Sequence, residues 1–162
     1  MAAIIIRTIQ SEDAPTIGEL WEKLVAYHGD LDPDLPRSTR DGAQLYAQRI
    51  RGKIGDSHTR IFVAEVNGQV IGFVLGVIVD LVPEMFTSET GGFLADIYVE
   101  EAYRRNGVGR KLVQALADWF RSRGVTYLEL YVANSNTDGR AFWSSLGGRD
   151  MMRRVRVPLK ES

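Results

Sequence analysis

Arg104-Arg105-Asn106-Gly107-Val108-Gly109-Arg110 separates two runs of opposite character, and its reading decides the fold. Before it lies Leu94-Ala95-Asp96-Ile97-Tyr98-Val99, apolar except at Asp96, the pattern of a strand covered on both faces and therefore central in its sheet. After it, Val108, Leu112, Leu116, Trp119 and Phe120 recur at helical spacing, and Gly124, following Arg121 and Arg123, marks the stop. A strand, a turn with two glycines and a helix, in that order, aim the first turn of the helix at the space beyond the strand. Its unpaired amides and the positive end of its dipole make that space an anion site. Gly107 and Gly109 carry no side chain that would hold a phosphate away. Two other phosphate motifs do not fit. A dinucleotide fingerprint needs a third glycine where Leu112 stands, and its glycines follow the strand directly, whereas Glu100 to Asn106 intervene here. A P-loop needs Gly-Lys-Ser/Thr, which does not follow.

The neighbouring sequence supplies the other elements. Residues 4–9 form a short apolar strand. Asp13 caps a helix in which Ile17, Leu20, Trp21, Leu24 and Val25 share a face; Pro15 is tolerated in its first turn, and His28-Gly29 ends it. Ala43, Tyr46, Ala47 and Ile50 mark a second helix after the Pro33 to Pro36 loop, and residues 51–58 read as polar loop. Residues 61–66 and 69–79 flank Asn67-Gly68, a strong two-residue hairpin signal. Downstream, residues 126–132 (TYLELYV) are a strand, residues 136–148 hold a short helix, and a closing strand lies near residues 155–159.

Composition bounds the function. At 162 residues and 44% hydrophobic content the chain is one domain, 1–162, with room for a core and a ligand cleft. A net charge of −1 argues against a nucleic-acid binder, although arginines cluster at 104–110 and 149–156. The N-terminal apolar stretch is too short for a signal peptide, and the run from Val70 to Val82 is interrupted by Asp80, so a cytoplasmic protein without membrane partners is expected. With no cysteine there is no thiol nucleophile and no thiolate zinc site, and His28 and His58 are too isolated to suggest a metal.

The stretch LADIYVEEAYRRNGVGRKLVQALADWF resembles the acyl-CoA-binding motif of the GNAT superfamily of N-acetyltransferases, with its strand, its Gln/Arg-x-x-Gly-x-Gly/Ala loop and its helix. Residues 126–132 resemble the next strand of that family, and Asn136 to Gly148 resembles its Asn-x-x-Ala-x-x-Phe-Tyr-x-x-Leu-Gly-Phe segment. The resemblance implies an α/β (α+β) fold: a mixed, mostly antiparallel sheet of about six or seven strands, about four helices, and a splayed pair of parallel strands at the cofactor cleft. It also implies an acetyl group moved from acetyl-CoA directly to a primary amine of a small molecule or peptide. Cofactor contacts would fall on Ile97, Tyr98, Val99, Arg104, Arg105, Asn106, Gly107, Val108, Gly109, Arg110, Asn136 and Trp143. Two departures from the family matter. Trp143 stands where a tyrosine credited with protonating the leaving thiolate would be, and Gly148 replaces a phenylalanine. An indole N–H is a donor with no accessible pKa.

Direct transfer needs a base, because an alkyl amine of pKa about 10 is only about 0.1% deprotonated at neutral pH. Glu129 leads the candidates and Asp96 follows, since a carboxylate inside an apolar strand is costly unless paired, hydrated or functional. Glu84 and Glu89 are further options, and Tyr98 or Tyr131 could supply a phenol. In the resembled family the acceptor site is built by the first two helices and the loop between them, here Tyr27 to Arg37, with the loop Asp80 to Gly92 opposite. Asp30, Asp32, Asp34, Glu84 and Glu89 make that rim acidic, which suits a cationic amine. A homodimer is the expected assembly. The competing functions are a CoA-sensing module without turnover, which Trp143 favours, and an unrelated phosphate-binding domain.

Overall fold

β-Branched and aromatic residues dominate four segments, which pair side by side in sequence order. These are β1 (Ile4–Thr8), β2 (Thr59–Val66), β3 (Gln69–Val79) and β4 (Gly91–Val99), each antiparallel to the next, with β5 (Leu128–Glu129) joining β4 in parallel. The helices are α1 (Ala14–Leu31), α2 (Gly42–Lys53), α3 (Val108–Ser122) and α4 (Thr137–Ser145). This computed structural model describes residues 2–80 and 83–161; Leu81, and Val82 at the end of the apolar run from Val70, lie outside the described residues. Contacts divide the chain into two compact units, Met1–Tyr131 and Val132–Ser162. Every strand and α1 to α3 belong to the first, and α4 to the second. Among the described residues no helix is long and apolar enough to cross a membrane.

In the first unit, α1 and α2 cover one face of the sheet. Ile17 and Leu20 from α1 and Tyr46 and Ile50 from α2 pack with Ile61, Val63 and Phe73, and Trp21, Leu75 and Tyr98 flank them. The other face carries α3 through the residues that the spacing selects, Val108, Leu112, Leu116, Trp119 and Phe120, all buried. That helix sits close to the backbone: a Cβ on Gly76 would collide with Leu116 Cδ1, and one on Gly92 would lie 2.9 Å from the Phe120 ring. At its end Gly124 takes φ +77°, with Gly124 N–H donating to Arg121 C=O and Val125 N–H to Phe120 C=O, both at 3.0 Å. Asn67 (φ 51°) and Gly68 (φ 80°) make the β2–β3 turn with both central residues left-handed, which matches the twist of a hairpin.

Several expectations are corrected. Among the described residues the sheet has five strands, not six or seven, and residues 149–161 contain no helix or strand; Val155 and Leu159 are 77% and 93% exposed. Alternation alone does not make a strand without a neighbour to pair with, and Pro158 has no N–H to donate. Residues 126–132 shrink to the two-residue β5. β4 is fourth of five rather than central, and residues 95–99 are partly exposed. Helix α1 passes through Gly29 to Leu31, closed by Asp32 N–H on His28 C=O at 3.0 Å. Helix α2 runs on to Lys53, where Arg51 and Lys53 complement its dipole. Asp13 makes no side-chain cap on α1. It accepts the Gln10 amide at 2.7 Å and pairs with Arg7 at 2.7 Å, and the guanidinium holds its carboxyl below the usual range.

An irregularity in β4 decides which face its carboxylate occupies. Leu75 pairs with Asp96 and Gly76 with Leu94, so Ala95 is a surplus residue, a β-bulge. Gly92 and Leu94 belong to the face under α3. Asp96 and Tyr98, which strict alternation would put on that same face, line up instead with Leu75 and Phe73 beneath α1 and α2.

Candidate active site

The parallel pairing of β4 with β5 covers Gly92↔Leu128 and Phe93↔Glu129 only. From Leu94 to Val99 the β5-side edge of β4 therefore has no strand beside it among the described residues, and Ile97, Tyr98 and Val99 lie along that edge. The chain then turns through Glu101–Tyr103 and reaches two left-handed residues, Arg105 (φ 64°) and Gly107 (φ 76°), on either side of Asn106. Asn106 braces the turn by donating from Nδ2 to the carbonyls of Tyr103 (3.2 Å) and Arg104 (3.1 Å). Helix α3 opens with Lys111 N–H on Gly107 C=O at 3.0 Å, which leaves the amides of Val108 and Gly109 ahead of that bond at the positive end of the dipole. A Cβ on Gly107 would meet no atom within 4 Å, so the turn faces open space. Donors, dipole and room fit a diphosphate. Arg105 and Arg110 are exposed beside it. The Arg104 guanidinium lies 5.5 Å from the Tyr27 ring and 5.2 Å from that of Tyr98, and Nε donates to Val99 C=O at 2.9 Å. It fastens α1 to the end of β4.

Asp96 and Glu129 stand in opposite environments. The Tyr46 hydroxyl donates to Asp96 Oδ2 at 2.8 Å, and burial pushes the Asp96 carboxyl up while that hydrogen bond opposes the shift. Burial, together with the neighbouring carboxylate, also pushes the Tyr46 phenol up. Glu129 is exposed on β5. Its neighbourhood includes Tyr127, whose hydroxyl is raised by burial first and then by the charges of Glu89 and Glu129. Tyr131 is 87% exposed, with its ring 5.6 Å from that of Phe93 in an edge contact. Glu84 is also exposed.

Sequence reasoning missed Tyr46 as a polar partner and treated it only as helix-face packing. The ring does pack, stacked on Trp21 at 4.9 Å, but its hydroxyl reaches across to β4. The signal was its identity, since a buried phenol needs an acceptor where phenylalanine would not. Also unforeseen is a cavity of about 470 Å³ along α2, with Trp21, Tyr46 and Leu45 on its walls beside Arg37 and Arg49.

In the second unit, Asn136 caps α4 by accepting the Gly139 amide at 2.9 Å. Trp143 is half-buried, its ring 4.9 Å from that of Phe142. Gly147 (φ 90°) and Gly148 close the helix with bonds to Ser144 C=O (3.0 Å) and Trp143 C=O (2.9 Å). A Cβ on Gly148 would lie 2.8 Å from the Trp143 carbonyl, so the residue in place of the family phenylalanine is held small.

A family model described as the acetyltransferase (GNAT) family matches residues 19–147. Mycothiol acetyltransferase of Amycolatopsis mediterranei is 34% identical over 86 residues, which is 53% of this chain and 29% of that protein. L-2,4-diaminobutyric acid acetyltransferase of Nocardia farcinica is 33% identical over 97 residues, 60% of this chain and 47% of that protein. The matched segment thus spans less than half the length of either relative. Among solved structures, a variant of the BH1408 protein of Bacillus halodurans superposes with TM-score 0.87 at 22% identity, covering 96% of this chain and 99% of that one. The aminoglycoside N-acetyltransferase AAC(6')-Iy in complex with CoA superposes with TM-score 0.70 at 22% identity, covering 99% and 97%. These superpositions show a common fold.

Proposed function

The chain belongs to the GNAT acetyltransferase family, and from that premise we propose that it transfers an acetyl group from acetyl-CoA directly to a primary amine, with no covalent acyl-enzyme. One observation carries the reading: the unpaired edge of β4 leads into a helix start built for an anion, so one continuous segment offers both a strand partner and a phosphate cradle. Acetyl-CoA supplies a thioester whose carbonyl an amine can attack. The Val108 and Gly109 amides, with Arg105 and Arg110, hold the pyrophosphate. Backbone groups from Ile97 to Val99 hold the pantetheine arm as an added strand and polarise the carbonyl.

Asp96, rather than Glu129, takes the proton from the attacking amine, directly or through water. Its position beneath α1 and α2, its bond to Tyr46 and its raised pKa support this, since a base works best when its pKa moves toward the working pH. No dedicated acid is required opposite it. The conjugate acid of the leaving thiolate should resemble a cysteine, with a pKa of about 8.5, so the thiolate departs unaided and is protonated by water or Tyr131. The exposed apolar side chains of residues 151–159 support pairing with a second copy.

Thiol release from acetyl-CoA across a panel of primary amines tests the reading. Amine-dependent release is the expected outcome. Protection by CoA against thermal unfolding, with no thiol released for any amine, would instead establish a sensing module.

A further inference from the structure

The cavity along α2 has the opposite charge to the rim that the sequence suggested. Arg37, Ser38 and Thr39 precede α2, and Gly42, Leu45 and Arg49 recur along one side of it at helical spacing, so two arginines belong to the lining. Among the described residues no carboxylate lines it. Asp32, one of the rim aspartates, is spent on its own turn, accepting the Asp34 amide at 3.0 Å. Arg37 and Arg49 appear in none of the ion pairs of the described residues. Trp21 and Tyr46, whose rings stack on each other, belong to the same lining. Tyr46 links this cavity to β4. Its ring borders the cavity, and its hydroxyl donates to Asp96, the proposed base.

Two guanidiniums without carboxylate partners repel a polycation and favour an oxyanion, which they can grip through paired N–H donors. We infer that the acceptor is an amine that also carries an oxyanion, a carboxylate or a phosphate ester, held by Arg37 and Arg49 while the chain between anion and nitrogen lies on Trp21 and Tyr46 and the nitrogen is presented toward Asp96. This deepens the acetyl-transfer reading and rests on it. It sets the chain apart from a fold neighbour whose name specifies aminoglycosides, which are polycationic.

Calorimetric titration of the full chain with matched ligand pairs tests the inference without relying on turnover. The pairs are 2,4-diaminobutyrate with 1,3-diaminopropane, lysine with cadaverine, and phosphoethanolamine with ethanolamine, each differing only by the oxyanion. At least one oxyanion member should bind roughly tenfold or more tightly than its partner, and the pair in which this occurs separates carboxylate from phosphate. Arg37→Gln and Arg49→Gln should each reduce that preference severalfold and leave CoA affinity unchanged. Equal affinities within every pair, tighter binding of the diamines, no binding at all, or a preference that survives the double variant would overturn it. Thiol release read on the same samples keeps the two proposals apart: oxyanion preference without amine-dependent release would remove the enzyme reading and leave the binding site.

Discussion

Asp96 is a carboxyl group that the fold would hold more cheaply as an amide. Because burial raises its pKa in the folded state, the native protein binds that proton more tightly than the unfolded chain does. Its contribution to stability is therefore most favourable at low pH and declines as pH rises from the ordinary carboxylate range through the raised value. Asp96→Asn, which keeps an acceptor for Tyr46, should raise the melting temperature at neutral pH, with the gain vanishing near pH 4. The same variant should lose about 10²-fold or more in turnover with CoA affinity intact, while Glu129→Gln should stay near wild type. Differential scanning calorimetry against pH and steady-state kinetics check the two halves separately. At Gly107 an added Cβ meets no atom within 4 Å but a valine must adopt φ +76°, so Gly107→Val should fold with a loss of about 1–2 kcal/mol and fail to bind CoA in calorimetric titration. Both residues stood out in the sequence, one as a charge in an apolar run and the other as half of a glycine pair. Tyr46, 50 positions from Asp96, did not, because a helix-face pattern records which side of a residue is buried and not what its polar end reaches.

Elements were legible wherever a period ran long enough. The face of α3 was read residue by residue, and the Asn67-Gly68 turn has the left-handed pair that its sequence implies. Ends were less legible. Helix α1 continues through Gly29 because a helical glycine is only mildly unfavourable, and β5 stops at two residues because strand length depends on the neighbour rather than on the segment's own composition. The seat of α3 on the sheet can be tested by substitution. Gly76→Ala would drive a methyl group into fully buried Leu116 and should cost about 1–3 kcal/mol. Leu116→Ala alone leaves a cavity and should cost about 2–5 kcal/mol, but the double variant should be less unstable than the two losses added together. Urea denaturation of the three proteins measures that coupling. Additive losses would mean that the helix is not positioned by this contact.

At the scale of the whole molecule, the C-terminal segment carries an alternating pattern in residues that form no helix or strand. Met151, Met152, Val155, Val157 and Leu159 are each more than 60% exposed, and the last three alternate in the manner of a half-buried strand. On the proposed pairing of two copies, sedimentation velocity should detect self-association that weakens in a Val155→Asp, Val157→Asp double variant, with thiol release per chain retained if each copy is complete. The bulge in β4 acts on the whole molecule in another way. Beyond Ala95, the side of the sheet on which each residue lands is fixed by how many residues precede it rather than by what they are. Deleting Ala95 would leave charge and hydropathy almost unchanged, yet it would reverse the parity of Asp96 and Tyr98 and turn the carboxyl toward the aliphatic underside of α3. At that point the place of the proposed base is written as a count, so the gain or loss of a single codon moves it from one face of the sheet to the other.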